Sequence, residues 1–266
     1  MNPTLLTVVP RCPRKVAPCA RSALLVAAAT IAMAFPRQGA QAAFHLWTVS
    51  EVYSSADGSV QFIELRTTFG SQQFIANQTL RSTNSGGTSS FVFPTNLPSD
   101  SANTTFILGT SNLASIPGGV VPNYIIPANF VRPAVGGGNA AVIYNPSGST
   151  IPCTNLPTDG DLSLNNPGGT IVLATNSPRN FNGQSNTIVP LKFGSANLAG
   201  TNFVMKFRTA TGVNGSAGPN YTVECKDNLT DPSWTTLISV AGDGTTKSVS
   251  NATTTAAQRV FRLRVP

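Results

Sequence analysis

Three features of this 266-residue chain predict an all-β protein. Charged residues make up only 10% of it, far below what a helical bundle or coiled coil carries. Runs rich in aromatic and β-branched residues recur, separated by turn clusters at a spacing of about 8–12 residues, the rhythm of short strands. The 23 glycines and 20 prolines interrupt these runs too closely for helices of three turns.

Residues 1–42 read as a secretory signal peptide. Arg11, Arg14, Lys15 and Arg21 form a basic start, and Ser22–Phe35 (SALLVAAATIAMAF) is an apolar core. Ala40-Gln41-Ala42 offers the small residues that signal peptidase accepts, with cleavage after Ala42. The apolar run falls short of the roughly 18–20 residues that span a bilayer, and Pro36 ends it. No membrane span is therefore expected after processing, and the expected location is secreted or extracytoplasmic, in a periplasm or at a cell surface. The formal charge of +7 belongs to this leader: five of the 17 basic residues and none of the 10 acidic ones precede residue 43, so the remainder carries 12 against 10. A nucleic-acid surface is not expected from a balance of +2.

The stretch Phe44–Leu65 predicts the first hairpin. His45–Tyr53 and Val60–Thr67 are strand-like and flank Asp57-Gly58, where glycine supplies the positive φ of a tight turn. Simple alternation puts Trp47, Val49, Glu51 and Tyr53 on one face of the first run. In the second, Val60, Phe62 and Glu64 share one face, and Gln61, Ile63 and Leu65 the other. Apolar groups on both faces suit a strand inside a sandwich. A turn centred on Asp57-Gly58 sets Glu51 opposite Glu64, an unfavourable pairing unless something relieves it. Solvent or an arginine (Arg66 or Arg81) could do so, the register could differ, or a Ca²⁺ ion could sit between them. Ca²⁺ wants about six to eight oxygens and the pair supplies few.

SEVYSSADGSVQFIEL resembles the opening of lamin-tail-type domains, which begin with a strand of the form I-x-E-V, a polar turn, then E-F-I-E-L. Gln61 stands where that family commonly has Glu, and Asn77-Gln78-Thr79 replaces its usual Gly-Trp. Phe91-Val92-Phe93-Pro94 and Phe106-Ile107-Leu108-Gly109 resemble two later strands of the family. The resemblance covers roughly residues 45–175. It implies an immunoglobulin-like β-sandwich, used on secreted bacterial proteins as an accessory or surface module, and carries no catalytic residues with it.

The middle of the chain is rich in loops. Gly136–Gly138 is followed by the strand-like Asn139–Tyr144 and not by the Lys-Ser/Thr and helix of a phosphate-binding loop. Thr170–Ala174 predicts a strand. Ile188–Phe193 contains Pro190 and predicts an edge strand or a linker. Ser195–Gly200 is small and polar, a boundary between a domain spanning 43–194 and one spanning 195–266. In the latter, Phe203–Phe207, Tyr221–Lys226, Ser233–Val240 and Arg259–Val265 predict strands. Phe203, Met205 and Phe207 point inward, as do Tyr221, Val223 and Cys225, and Phe261, Leu263 and Val265. This tail resembles a short C-terminal module of many secreted verrucomicrobial and planctomycete proteins, over about 203–265. Cys225-Lys226 and Arg262 depart from its commonest residues. The resemblance implies a second, smaller β-sandwich and no activity.

The chemistry available after residue 42 is sparse. His45 is the only histidine, at the start of a strand, so any triad would have to use it. No catalytic residue and no cofactor site is expected. Glu51, Glu64, Asp159 and Asp161 are the weak metal candidates, the last two through a D-x-D spacing that lacks the rest of a calcium loop. Trp47 and Trp234 are expected in the core. Arg259, Arg262 and Arg264 are expected on a solvated face. Cys153 and Cys225 are expected as free thiols, a bridge between the two domains being the alternative. These observations lead to an exported, non-enzymatic β-sandwich protein acting as an interaction or adhesion module on an unknown protein or polysaccharide partner. A carbohydrate-binding protein is the rival, and a secreted hydrolase a third reading. Exposed Trp and Tyr in a row would favour sugar; an open sheet edge or apolar patch would favour protein.

Overall fold

The computed structural model describes residues 45–252 and 258–266. The expected signal peptide lies outside the described residues. Of these, 42% are in strands and 3% in helix, so the chain is all-β.

A six-stranded sheet carries the first hairpin. Its strands are β1 (Thr48–Ser54), β2 (Gln61–Thr67), β5 (Thr104–Gly109), β6 (Tyr124–Ile125), β9 (Leu162–Asn165) and β10 (Val172–Thr175), ordered β10-β9-β1-β2-β5-β6. Only β6 runs parallel to its neighbour. A four-stranded sheet, β3 (Thr79–Asn84), β4 (Gly87–Val92), β7 (Ala140–Tyr144) and β8 (Ser149–Pro152), is ordered β4-β3-β7-β8. The two sheets bury one apolar cluster, with Trp47, Val49, Val52, Ile63, Leu65, Phe106 and Leu108 from the first and Leu80, Val142, Tyr144 and Ile151 from the second. Phe93 fills its centre, edge-on to Phe106 (5.8 Å), Tyr124 (5.1 Å) and Tyr144 (6.1 Å).

The outer face of the six-stranded sheet is also covered. Tyr53, Val60, Phe62 and Ile107 pack there against Leu113, Val120 and Ile188 from loops. This explains why β1 and β2 are apolar on both faces. A bulge corrects the predicted alternation in β1. The register shifts between Val49 and Glu51, because Ser50 is an extra residue against β2. Trp47 and Val49 therefore point to the inner core before the bulge, and Val52 does after it, while Glu51 and Tyr53 turn to the outer face. In β2 the predicted faces hold.

The last third forms two three-stranded sheets: β11 (Ser195–Ala199), β12 (Asn202–Arg208) and β15 (Thr246–Ala252), ordered β11-β12-β15, and β14 (Thr235–Ala241), β13 (Asn220–Lys226) and β16 (Val260–Arg264), ordered β14-β13-β16. Met205, Phe207 and Val249 meet Tyr221 and Val223 in a separate core, with Phe203, Phe261 and Leu263 at its margin. Ser195–Ala199, read from sequence as the boundary, is itself a strand, since pairing with β12 supplies the backbone partners its bland sequence does not advertise. Of the two readings of Ile188–Phe193 the edge strand does not form: the segment is a loop, held by bonds such as Val189 N–H to Pro117 O.

Candidate functional site

The register sets Glu51 directly opposite Glu64. Both are buried, at 2% and 7% exposure. Neither Arg66 nor Arg81 relieves them, which corrects the expectation. Arg66 donates instead to the carbonyls of Asn166 and Pro167, and Arg81 is exposed on β3 in the other sheet. Uncharged donors take their place. Glu51 Oε1 accepts from Ser163 Oγ (2.6 Å) and the Ser177 amide (2.8 Å), and Oε2 from Ser177 Oγ (2.9 Å). Glu64 Oε1 accepts from Ser50 Oγ (2.8 Å) and Oε2 from the Arg179 amide (2.9 Å). The bulge that places Ser50 thus also feeds the pair. Burial, and then the charge of Glu51, push the Glu64 carboxyl up to about 8. Burial raises Glu51 too, against the opposing pull of Ser163 and Ser177. Near neutral pH a proton sits on Glu64, which burial and the neighbouring Glu51 carboxylate both favour. The pair's function in the fold is to fasten residues 177–179 across the outer sheet face.

Asp159 and Asp161 are spent differently. Asp159 Oδ1 accepts from the amides of Asp161 (2.8 Å) and Leu162 (2.9 Å), closing a turn. Asp161 pairs with Arg208 on β12 at 2.7 Å and with Lys192 at 3.4 Å. Among the described residues no three or more His, Cys, Asp or Glu side chains group as a metal site would. A cation at Glu51, Glu64 or Asp161 would have to displace N–H or O–H donors already bonded there, while Asp159 is bonded through Oδ1.

A groove of about 660 Å³ opens beside the first hairpin. Tyr53, Val60, Ile116, Pro117 and Ile188–Leu191 line it, Val265 and Pro266 flank it, and Asp57 and Asp159 stand at it. Tyr53 stacks on Phe62 at 5.2 Å and donates its hydroxyl to Gly160 O at 3.2 Å. Burial pushes that phenol up to about 12, so it remains a neutral donor. Gly160 has φ +87°, and a Cβ there would sit 3.0 Å from Pro190 Cβ, so this wall needs glycine. Asp57, at the hairpin tip, binds Ser55 Oγ and the amide and hydroxyl of Ser59 through Oδ1, which lowers its carboxyl to about 2.

The remaining candidates separate. His45 precedes β1, and burial lowers its imidazole. Trp47 is in the core, its Nε1 donating to Gln72 O. Trp234 is not, contrary to expectation: it is half-buried on the outside of its sheet, with the Arg262 guanidinium 4.2 Å and the Lys226 ammonium 5.1 Å from its ring centre. The three C-terminal arginines are ion-paired rather than simply solvated, Arg262 and Arg264 with Glu224 and Arg259 with Asp227. Cys153 and Cys225 are both free and both buried. Ser163, Ser177 and the Arg179 amide escaped the sequence reading, since nothing local marks one serine among many as the partner of a distant carboxylate. No known family model matches this chain, and no curated protein matches its sequence.

Proposed function

We propose that this chain is an exported, non-catalytic β-sandwich protein that serves as an interaction or adhesion module at a cell surface or in the extracellular space. The observation that carries this reading is where the apolar groups lie. Tyr53, Tyr124, Tyr144, Tyr221 and Trp47 are all buried, and Trp234 is flanked by cations. These are all the Tyr and Trp of the chain, so no row of them offers a sugar-stacking face. By contrast, among the described residues the edge strands β10 and β11 pair on one side only and present Val172 (41% exposed), Leu173 (57%) and Leu198 (63%). Exposed edge strands are templates for protein partners. The use of the raised carboxylates Glu51 and Glu64 as fasteners supports a non-catalytic role. The leader-like residues 1–42 support export, and the resemblances to lamin-tail-type domains and to the C-terminal secreted module support a surface role.

Binding of the labelled chain from Ala43 onward to intact cells of its source, before and after surface proteolysis, tests this, with a glycan array alongside. Saturable binding lost on proteolysis and weakened by Leu173→Lys with Leu198→Lys is expected, with a flat array. Saturable binding to a glycan would favour the carbohydrate-binding alternative. Turnover of a polysaccharide or peptide would overturn the non-catalytic reading.

A further inference from the structure

The groove beside the first hairpin is a candidate binding site distinct from the β10 and β11 edges. Its volume of about 660 Å³ lies inside the range of about 300–1,000 Å³ typical of ligand clefts. Its surface is built from Val60, Ile116, Pro117, Val189, Pro190 and Leu191, over the buried stack of Tyr53 on Phe62. Two carboxylates stand at this apolar floor, Asp57 from the hairpin tip and Asp159 from the turn before β9, and among the described residues no lysine or arginine lines it. Both carboxylates are held ionised by turn hydrogen bonds that fall on Oδ1. Lys192, next to Leu191, is engaged with the Asp159 carbonyl at 2.9 Å and with Asp161 at 3.4 Å, and its charge also helps to keep the Asp159 carboxyl low.

The turn geometry makes the site rigid. Gly58 has φ +67°, and its carbonyl accepts from the Asn129 amide at 3.0 Å, which pins the tip carrying Asp57 to a neighbouring loop. The opposite wall is closed by the contact of Gly160 with Pro190 and by the Tyr53 hydroxyl. A preformed apolar trough loses little order on binding, and its paired acidic flank selects ligand charge.

From this charge complementarity we infer that the groove binds a short extended peptide segment of a partner protein in which an apolar side chain stands beside a lysine or arginine. The apolar side chain enters the trough between Pro117 and Leu191, and the cation reaches Asp57 or Asp159. The inference deepens the interaction-module reading and rests on it for the partner being a protein, but it uses a surface separate from the β10 and β11 edges.

The test uses the chain from Ala43 onward and short, end-blocked fluorescent peptides of alternating leucine and lysine, leucine and glutamate, or leucine and serine. Fluorescence anisotropy measures affinity, and amide NMR shifts locate the site. The leucine–lysine peptide is expected to bind, to weaken as salt rises, and to shift the amides of Tyr53, Val60, Ile188 and Leu191. Asp57→Asn with Asp159→Asn keeps each Oδ1 acceptor and is expected to cost about tenfold in affinity, the size of one or two screened charge contacts. Leu191→Arg, at a site 44% exposed where folding tolerates charge, is expected to abolish binding. Equal binding of the glutamate and lysine peptides, binding that ignores both variants, shifts confined to other surfaces, or no binding at millimolar peptide would each overturn the inference. Surface-protein binding that survives Leu191→Arg while peptide binding fails would remove the groove and leave the interaction-module reading standing.

Discussion

Replacing Glu64 by glutamine should make the protein more stable in alkali and change little in mild acid. Between its ordinary value of 4.5 and its raised value of about 8, Glu64 is protonated when folded and ionised when unfolded. The folded state therefore binds the extra proton, and stability falls as pH rises through that window. The contribution is whole below 4.5 and gone above about 8. At 1.36 kcal/mol per pH unit the full span is ~5 kcal/mol. Relaxation of the 177–179 segment and entry of water should reduce the realised loss to ~2–3 kcal/mol, the usual size of an uncompensated buried group. Burial raises Glu51 in the same direction, so it steepens the same slope. Glutamine is isosteric: its carbonyl can accept from the Arg179 amide, and its NH₂ can donate to Ser50 Oγ, since a hydroxyl serves either role. Thermal melts of both proteins from pH 5 to pH 9 give the answer. The expected result is near-equal Tm at pH 5 and a Tm for Glu64→Gln higher by ~5–10 °C at pH 9, taking ~2–4 °C per kcal/mol for a chain of this size. Parallel pH profiles, or a uniform loss in the variant, would refute the idea that a buried proton sits on this pair.

Other expectations follow from the same packing. In the chain beginning at Ala43, the two thiols should resist a thiol reagent when folded, since burial pushes Cys153 up to about 12 and Cys225 is also buried, and both should titrate without reductant once denatured; a disulfide found there would contradict the geometry. Gly58→Ala should cost ~1–3 kcal/mol, because its φ is +67° and the new Cβ would fall 2.1 Å from Asn129 Oδ1; adding Asn129→Gly, which removes that side chain and suits the φ of +59° there, should recover part of the loss in denaturant melts, and no recovery would mean that backbone strain at residue 58 is responsible. Trp47→Ala should cost ~3–5 kcal/mol as a core truncation. Trp234→Ala should cost only ~1 kcal/mol, mostly lost cation–π contact, and equal losses would show that Trp234 packs as a core residue after all. N-terminal sequencing of exported protein should begin at Ala43, and a start before Ser22 would remove the signal-peptide reading.

The residues that alternate apolar and polar determined most of the strands, because a strand with one buried face must write its period into its own sequence. Asp57-Gly58 likewise announced its hairpin and, through the turn, the meeting of Glu51 with Glu64. What the local pattern could not carry was anything decided by a distant partner. The bulge at Ser50, which turns Glu51 and Tyr53 to the outer face, depends on how β1 meets β2 and on what covers the sheet. Ser195–Ala199 has no amphipathic period at all and becomes a strand only because β12 lies alongside it. The relief of the carboxylate pair came from Ser163 and Ser177, more than 100 residues away, and not from the nearby Arg66. Trp234 shows the same limit: a tryptophan beside a strand-like run reads as core, yet two cations across neighbouring strands hold it at the surface. A hydrogen bond or cation–π contact needs one suitable group at the right point in space, and sequence distance places no constraint on which group that is.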